Sequence, residues 1–466
     1  MAPRKRNRPD SEIPALADGA DGTDGTRVSR RTFVQGAAAI AGTALVVAGC
    51  DDESEAPPGT TVTPTGQGGG TGTGTATGTG GQGGSVGSGG GGGAGGGGVG
   101  ARDLTNHVLV AKNGTPAENV LAVLAAAGGV ERFIDADDVV VLNPNGQWPK
   151  QGYTNTECMK ALIDAILARP GGFTGEVIIA EHVHRSPADA LTGSYCWNIS
   201  AGNNRMNNWP DMSYFELVDD YHDNGHPNVT ANPLYDSGSS TGFSAVAGPS
   251  EVASGEQGWV RNTYTTQTTG EIVRLAHPIL RSSYSDALID LHSGVWENGG
   301  YSGRAVKLIF LPTLNNHGSF NGEDYAGPTS AVKCHLGIVE FSGSEGVHLH
   351  NIGYGNDHPE AVGESVGHLI TQILQPTFYL TCAEYTGYRG RTNDVAEHTR
   401  TVGLCLEPVT LDYWMCKYVM YPIATIQEFM NPDNDNNLRK QLVGCNDMGV
   451  GTLVESEMTI EVEDLA

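Results

Sequence analysis

The sequence predicts an α/β fold, a largely parallel sheet flanked by helices, with a long loop-rich insertion and a disordered N-terminal region ahead of it. Three observations carry that prediction. From His107 onward strand-like and helix-like segments alternate, the pattern of parallel strands joined by covering helices. The strand-like segments are short apolar runs, as expected of a sheet covered on both faces. Residues Ala56 to Ala101 hold no charged side chain and are mostly Gly and Thr, too little apolar surface to offset the entropy of ordering.

In chain order, Val108 to Ala111 and Val139 to Leu142 read as buried strands, with Pro116 to Ala127 as the helix between them. Thr154 opens the next helix, and Glu157 three residues on completes a capping box. Met159, Leu162, Ile163, Ile166 and Leu167 fall on one face of it, and Pro170-Gly171-Gly172 ends it. Val177 to Ala180 reads as a third strand. Ala305 to Leu311 follows as a strand, Ser365 to Leu374 as a helix, Thr377 to Cys382 and Val402 to Leu406 as strands, and Thr410 to Met420 as a helix. Between them Ser186 to Thr269, rich in Asn, Gly, Ser and Tyr, is expected to be an insertion over one edge of the sheet. No sequence repeat is visible.

The first 50 residues carry an address. Ser29-Arg30-Arg31-Thr32-Phe33-Val34 precedes a short, alanine-rich apolar run from Gly36 to Ala48, which is closed by Val47-Ala48-Gly49-Cys50. That order resembles a Tat signal peptide ending in a lipobox, in which the Cys50 thiol receives a diacylglycerol. The run is short of the roughly 20 apolar residues that a transmembrane helix needs. Two acyl chains would anchor the protein firmly, each buried methylene contributing about 0.8 kcal/mol. Residues 51–104 then form a Gly/Thr-rich linker with a root-mean-square reach on the order of 35 Å, and 105–466 form a single α/β domain. The implied partners are the Tat translocase during export and a membrane met through the acyl chains on Cys50, in the cell envelope.

Without the first 50 residues, 20 of the 27 Lys and Arg and 48 of the 53 Asp and Glu remain, a net charge of −28. Such a surface repels nucleic acid and anionic lipid alike. Apart from Cys50, seven cysteines remain and cannot all pair internally. None stand as C-x-x-C, so no iron-sulfur or zinc-knuckle motif is present. Cys158, Cys382, Cys405 and Cys416 lie in apolar-periodic segments, where a thiol packs as a small hydrophobe.

In open α/β sheets ligands settle beyond the carboxyl ends of the strands. Polar residues gather there: Asn143-Pro144-Asn145-Gly146-Gln147, then Glu181-His182-Val183-His184, then Pro312 through His317-Gly318, with Glu384 and Glu407 ending two later strands. Glu181, His317 and Lys333 are the candidate catalytic residues. Glu181 and an imidazole could divide acid and base roles, while Lys333 steadies negative charge. Asn145, Gln147, His335 and Asp412 are candidate ligand-binding residues. His182 and His184, two apart on a strand, would share a face and are candidate metal ligands; His348 and His350 repeat that spacing. His222 and His226 lack the Glu of a metalloprotease helix, and no G-x-S-x-G stands between a strand and a helix.

Asp138 to Asn145, the helix from Thr154 to Ala165, the block from Leu311-Pro312 to His317-Gly318 with Tyr325 to Thr329 and Ala331 to Gly337, and Leu406 to Tyr413 together resemble the family called domain of unknown function 362. The resemblance covers about Ala136 to Tyr421 and implies the fold and the strand-end location of the site. Two departures stand out: the family's first-turn lysine is Asn143 here, and the asparagine after its later lysine is Cys334. They leave Lys333 as the main candidate for holding an anion. The family's ferredoxin-like cysteine clusters are missing from this chain. Three readings follow: an exported enzyme, a non-catalytic lipoprotein that binds a small-molecule ligand or a surface partner, and a protein that holds a metal ion through His182, His184 and His317.

Overall fold

Val139–Pro144 and Glu176–His182 are buried along their whole length, which places them inside a sheet with both faces covered. In the computed structural model the described residues are 102–146, 153–183, 196–198, 212–238, 242–317, 327–341, 343–354, 358–389 and 395–466. All of them belong to one compact unit, residues 78–466. The signal, Cys50 and nearly all of the linker lie outside the described residues. Leu104, assigned to the linker, is packed in the core.

The main sheet runs in the order Thr459–Asp464, His107–Lys112, Ala396–Cys405, Pro376–Gly387, Val306–Leu311, Val139–Pro144, Glu176–His182 and Val229–Leu234. The last five are mutually parallel, so their carboxyl ends share one edge. Ala396–Cys405 is antiparallel to both its neighbours, because the stretch joining it to Pro376–Gly387 is shorter than a parallel crossover requires. Glu407 therefore follows the opposite edge, a correction to its placement among the strand-end residues. Glu384 lies within its strand, which continues to Gly387.

Alternation along the strands separates two cores. Val140, Leu142, Val177 and Ile179 face a layer that holds the helices Pro116–Ala126, Thr156–Leu167 and Tyr214–Asp223. Val139, Val141, Ile178 and Ala180 face the other core, with Ile289, Leu280, Val366, Leu411 and Leu442. The helix predicted to open at Thr154 is capped by Asn155, whose side chain accepts from the Cys158 amide. Thr154 is taken up elsewhere: its hydroxyl donates to the Leu311 carbonyl and accepts from the Asn145 amide.

The expected insertion is in part integral to the fold. It supplies the helix Tyr214–Asp223 and the parallel strand Val229–Leu234. Beyond them Gly300–Tyr301, Gly294–Glu297, Leu288–Asp290, His277–Arg281, Gln257–Val260 and Phe243–Val246 make a six-stranded sheet. Val347–His348, Ile272–Arg274 and Thr263–Thr265 make a three-stranded one.

Candidate functional site

The carboxyl edge is laced together before any ligand is considered. Asn143 ends its strand with Nδ2 donating to the carbonyls of Ala180, at 2.7 Å, and Gly337, at 3.3 Å. Asn145 Oδ1 accepts from the Thr313 amide, and the Asn145 carbonyl accepts from the Tyr214 hydroxyl at 2.7 Å. Asn145 thus joins three loops and is a scaffold residue, where a ligand-binding role was expected; Gln147 lies outside the described residues.

Glu181 is the chemically distinctive group here. It is 2% exposed, and a Cβ placed on Gly146 would lie 2.0 Å from its Oε2, one on Gly337 3.2 Å from its Oε1. Only glycine lets the two backbones approach the carboxyl this closely. Cys196 Sγ stands beside it and donates to the Gly146 carbonyl at 2.7 Å. Burial pushes Glu181 well above the usual carboxylate range, and the nearby Gly146 amide offsets only part of that. Among the described residues Oε2 makes no hydrogen bond of ordinary geometry. Burial thus favours the protonated form of this carboxyl, in which it can donate a hydrogen bond.

Lys333 and His317 are brought to the same edge by one segment. Asn315–Asn316 pairs with Pro328–Thr329 and touches the end of Pro376–Gly387. His317 Nδ1 bonds the Thr329 hydroxyl at 2.8 Å. The chain then turns into the helix Ala331–Cys334, which carries Lys333, and reaches Gly337 against Glu181. Contacts to His317 and to Glu181 therefore fall on residues four before and four after Lys333. Both His317 and Lys333 are 6% exposed.

Two candidates on this segment serve the fold. The Asp412 carboxylate accepts from the Ala331 and Val332 amides at 2.7 and 2.8 Å, holding the start of the Lys333 helix. Burial raises it to about 6 despite those bonds. His335 is wholly buried against Phe310, with Nδ1 donating to the Val332 carbonyl and Nε2 accepting from the Tyr379 hydroxyl. Burial lowers its pKa to about 4, so the ring is a neutral core group. Both were expected to bind a ligand; in the structure their polar atoms are taken up by partners within the fold.

His182 does not join Glu181. Successive strand residues face opposite sides, and His182 lies with Trp259 and Phe341, its Nε2 3.0 Å from Asp236 Oδ1. The imidazole that could share acid and base roles with Glu181 is therefore not that of His182, which lies on the other face of the sheet. His184 lies outside the described residues, and among the described residues no three His, Cys, Asp or Glu side chains are grouped to hold a metal ion. Sequence reasoning missed Cys196, Tyr214 and Asp236 as neighbours of the candidate residues: Cys196 and Asp236 lie outside regular elements, and Tyr214 opens a helix that was read as part of the insertion. No family model, no curated protein and no solved structure matches this chain.

Proposed function

We propose that the chain is an exported, lipid-anchored protein that binds a small-molecule ligand in the strand-end crevice, with Glu181 as its uncharged hydrogen-bond donor. One observation carries this reading: a buried carboxyl held between Gly146 and Gly337 at the carboxyl edge of parallel strands, with Oε2 unsatisfied among the described residues. An unsatisfied buried acid costs stability, a cost that a ligand acceptor would relieve. Lys333 is the companion cation, and the protonated Glu181 is matched to general-acid work should the ligand be turned over. The anchor and the export route rest on Arg30-Arg31, the short apolar run and Cys50. Among the described residues no helix is long and apolar enough to cross a membrane. Membership of the domain of unknown function 362 family belongs to the same proposal and rests on the segments quoted above.

Ligand-observed NMR of the full chain with a set of small amides and carboxylates tests the reading. At least one should bind saturably and lose roughly tenfold or more in affinity on Glu181→Ala, the cost of a lost buried hydrogen bond. Gly337→Ala should weaken the same compound, because its Cβ would press on Glu181 Cγ at 3.0 Å. A set with no binder, or a binder indifferent to both changes, would contradict it.

A further inference from the structure

A cavity of about 510 Å³ opens at the amino edge of the main sheet, away from Glu181. Val306 to Leu308 and Pro376–Thr377, the first residues of two parallel strands, form one wall; the turn Leu291–Val295 and Tyr301 of the six-stranded sheet form another. Its size suits a metabolite-scale ligand, roughly 300 to 1,000 Å³ being usual. Its lining includes His292, Arg304 and Lys307 and no acidic side chain, in a chain whose formal net charge is −26.

Arg304 and His292 are each pinned at one end and open at the other, while Lys307 is ion-paired with Asp138. Arg304 Nε donates to the Asp137 carbonyl at 3.1 Å. Among the described residues its two terminal nitrogens meet no acceptor; Glu176 feels the charge but is held by Ser282 and Ser285. Lys307 Nζ is 3.6 Å from Asp138 Oδ2, too far for a hydrogen bond. The His292 amide donates to Asp290 Oδ1, and its Nδ1 lies 2.6 Å from the Ile373 carbonyl. A carbonyl only accepts, so Nδ1 carries a proton and Nε2 is the ring nitrogen left to meet a ligand. Asp290 also takes the Tyr301 hydroxyl at 2.6 Å and His277 at 3.2 Å, so the groups around the cavity are preorganised.

We propose that this cavity is a second binding site, for a small organic anion that carries a carboxylate or phosphate together with a hydroxyl group. The anionic oxygens accept from the Arg304 fork and from Lys307, and the ligand hydroxyl pairs with His292 Nε2. This site is independent of the Glu181 crevice.

Calorimetric titration of the full chain with glycerol 3-phosphate, gluconate and uncharged glycerol tests it. One or both anions should bind saturably, and the stronger of the two identifies the anionic group; glycerol should not bind. Arg304→Gln should weaken the anion roughly ten- to hundredfold, the loss of a charge-assisted pair, with Arg304→Lys intermediate because it keeps charge without the fork. Glu181→Gln should leave this binding unchanged. Should Arg304→Gln fail to melt cooperatively, Lys307→Gln decides, with a loss expected there too. Absence of saturable binding by either anion, equal binding of glycerol, or affinity that survives Arg304→Gln or Lys307→Gln would overturn the proposal.

Discussion

Replacing Glu181 by Gln keeps the shape of the side chain and removes its titration. Burial raises this carboxyl well above its ordinary 4.5, so the folded chain keeps a proton that the unfolded chain releases. A group of this kind contributes fully below its unfolded-state pKa, and its contribution falls as pH climbs toward the folded value. Between the two values the slope is about 1.4 kcal/mol per pH unit. As pH rises from about 5 to about 6.5 the wild type should therefore lose stability relative to Glu181→Gln, by at most about 1.4 kcal/mol per pH unit. Asp412 and Glu176 are also raised by burial, but they titrate in both proteins and cancel in the difference. Urea melts of both proteins at four pH values across that range measure it. A wild-type-minus-variant difference that stays flat across the range would refute an uncharged Glu181.

Asp412→Ala leaves the buried Ala331 and Val332 amides without an acceptor and should cost roughly 2 to 4 kcal/mol in a urea melt, with Asp412→Asn recovering part of it. His335→Ala should cost a similar amount, about 2 to 4 kcal/mol, through a cavity and two orphaned partners, and should leave ligand affinity at Glu181 unchanged if the ring is a core group. The wild type should also lose stability through His335 as pH falls from 6.5 toward 4, because the unfolded chain takes up a proton that the buried ring refuses. Cys50→Ala should release the folded chain from the membrane fraction into the soluble export compartment, and Lys in place of both Arg30 and Arg31 should retain full-length precursor in the cell, as read by fractionation and immunoblot.

The parallel frame was legible because Val139-Val140-Val141-Leu142 and Val177-Ile178-Ile179-Ala180 have no polar face and so demand cover on both sides. That frame carried Asn143, Asn145 and Glu181 to one edge. It misplaced Glu407, since nothing in an apolar run announces its direction. The divergence of Glu181 and His182 follows from period-two alternation alone, which also sets the face of every other residue on that strand. Asp412 and His335 look like site residues when judged by polarity; their partners are backbone amides, a carbonyl and the Tyr379 hydroxyl, which no spacing reveals. Val229–Leu234 escaped notice because Asn232 and Pro233 read as a loop, and proline is tolerated on such an edge strand. The six-stranded sheet is built from strands of two to five residues, too short for alternation to register.

The most direct measurement is an infrared difference spectrum of the full chain, wild type minus Glu181→Gln, recorded at neutral pH with and without the small acceptor found by NMR. A crevice in which Glu181 is an uncharged donor predicts a protonated-carboxyl carbonyl band in the free protein that shifts when the acceptor binds, because the proton then enters a hydrogen bond it lacked. A carboxylate signature in its place, or a protonated band unmoved by a saturating acceptor, would contradict the assignment of Glu181 as the group that meets the ligand.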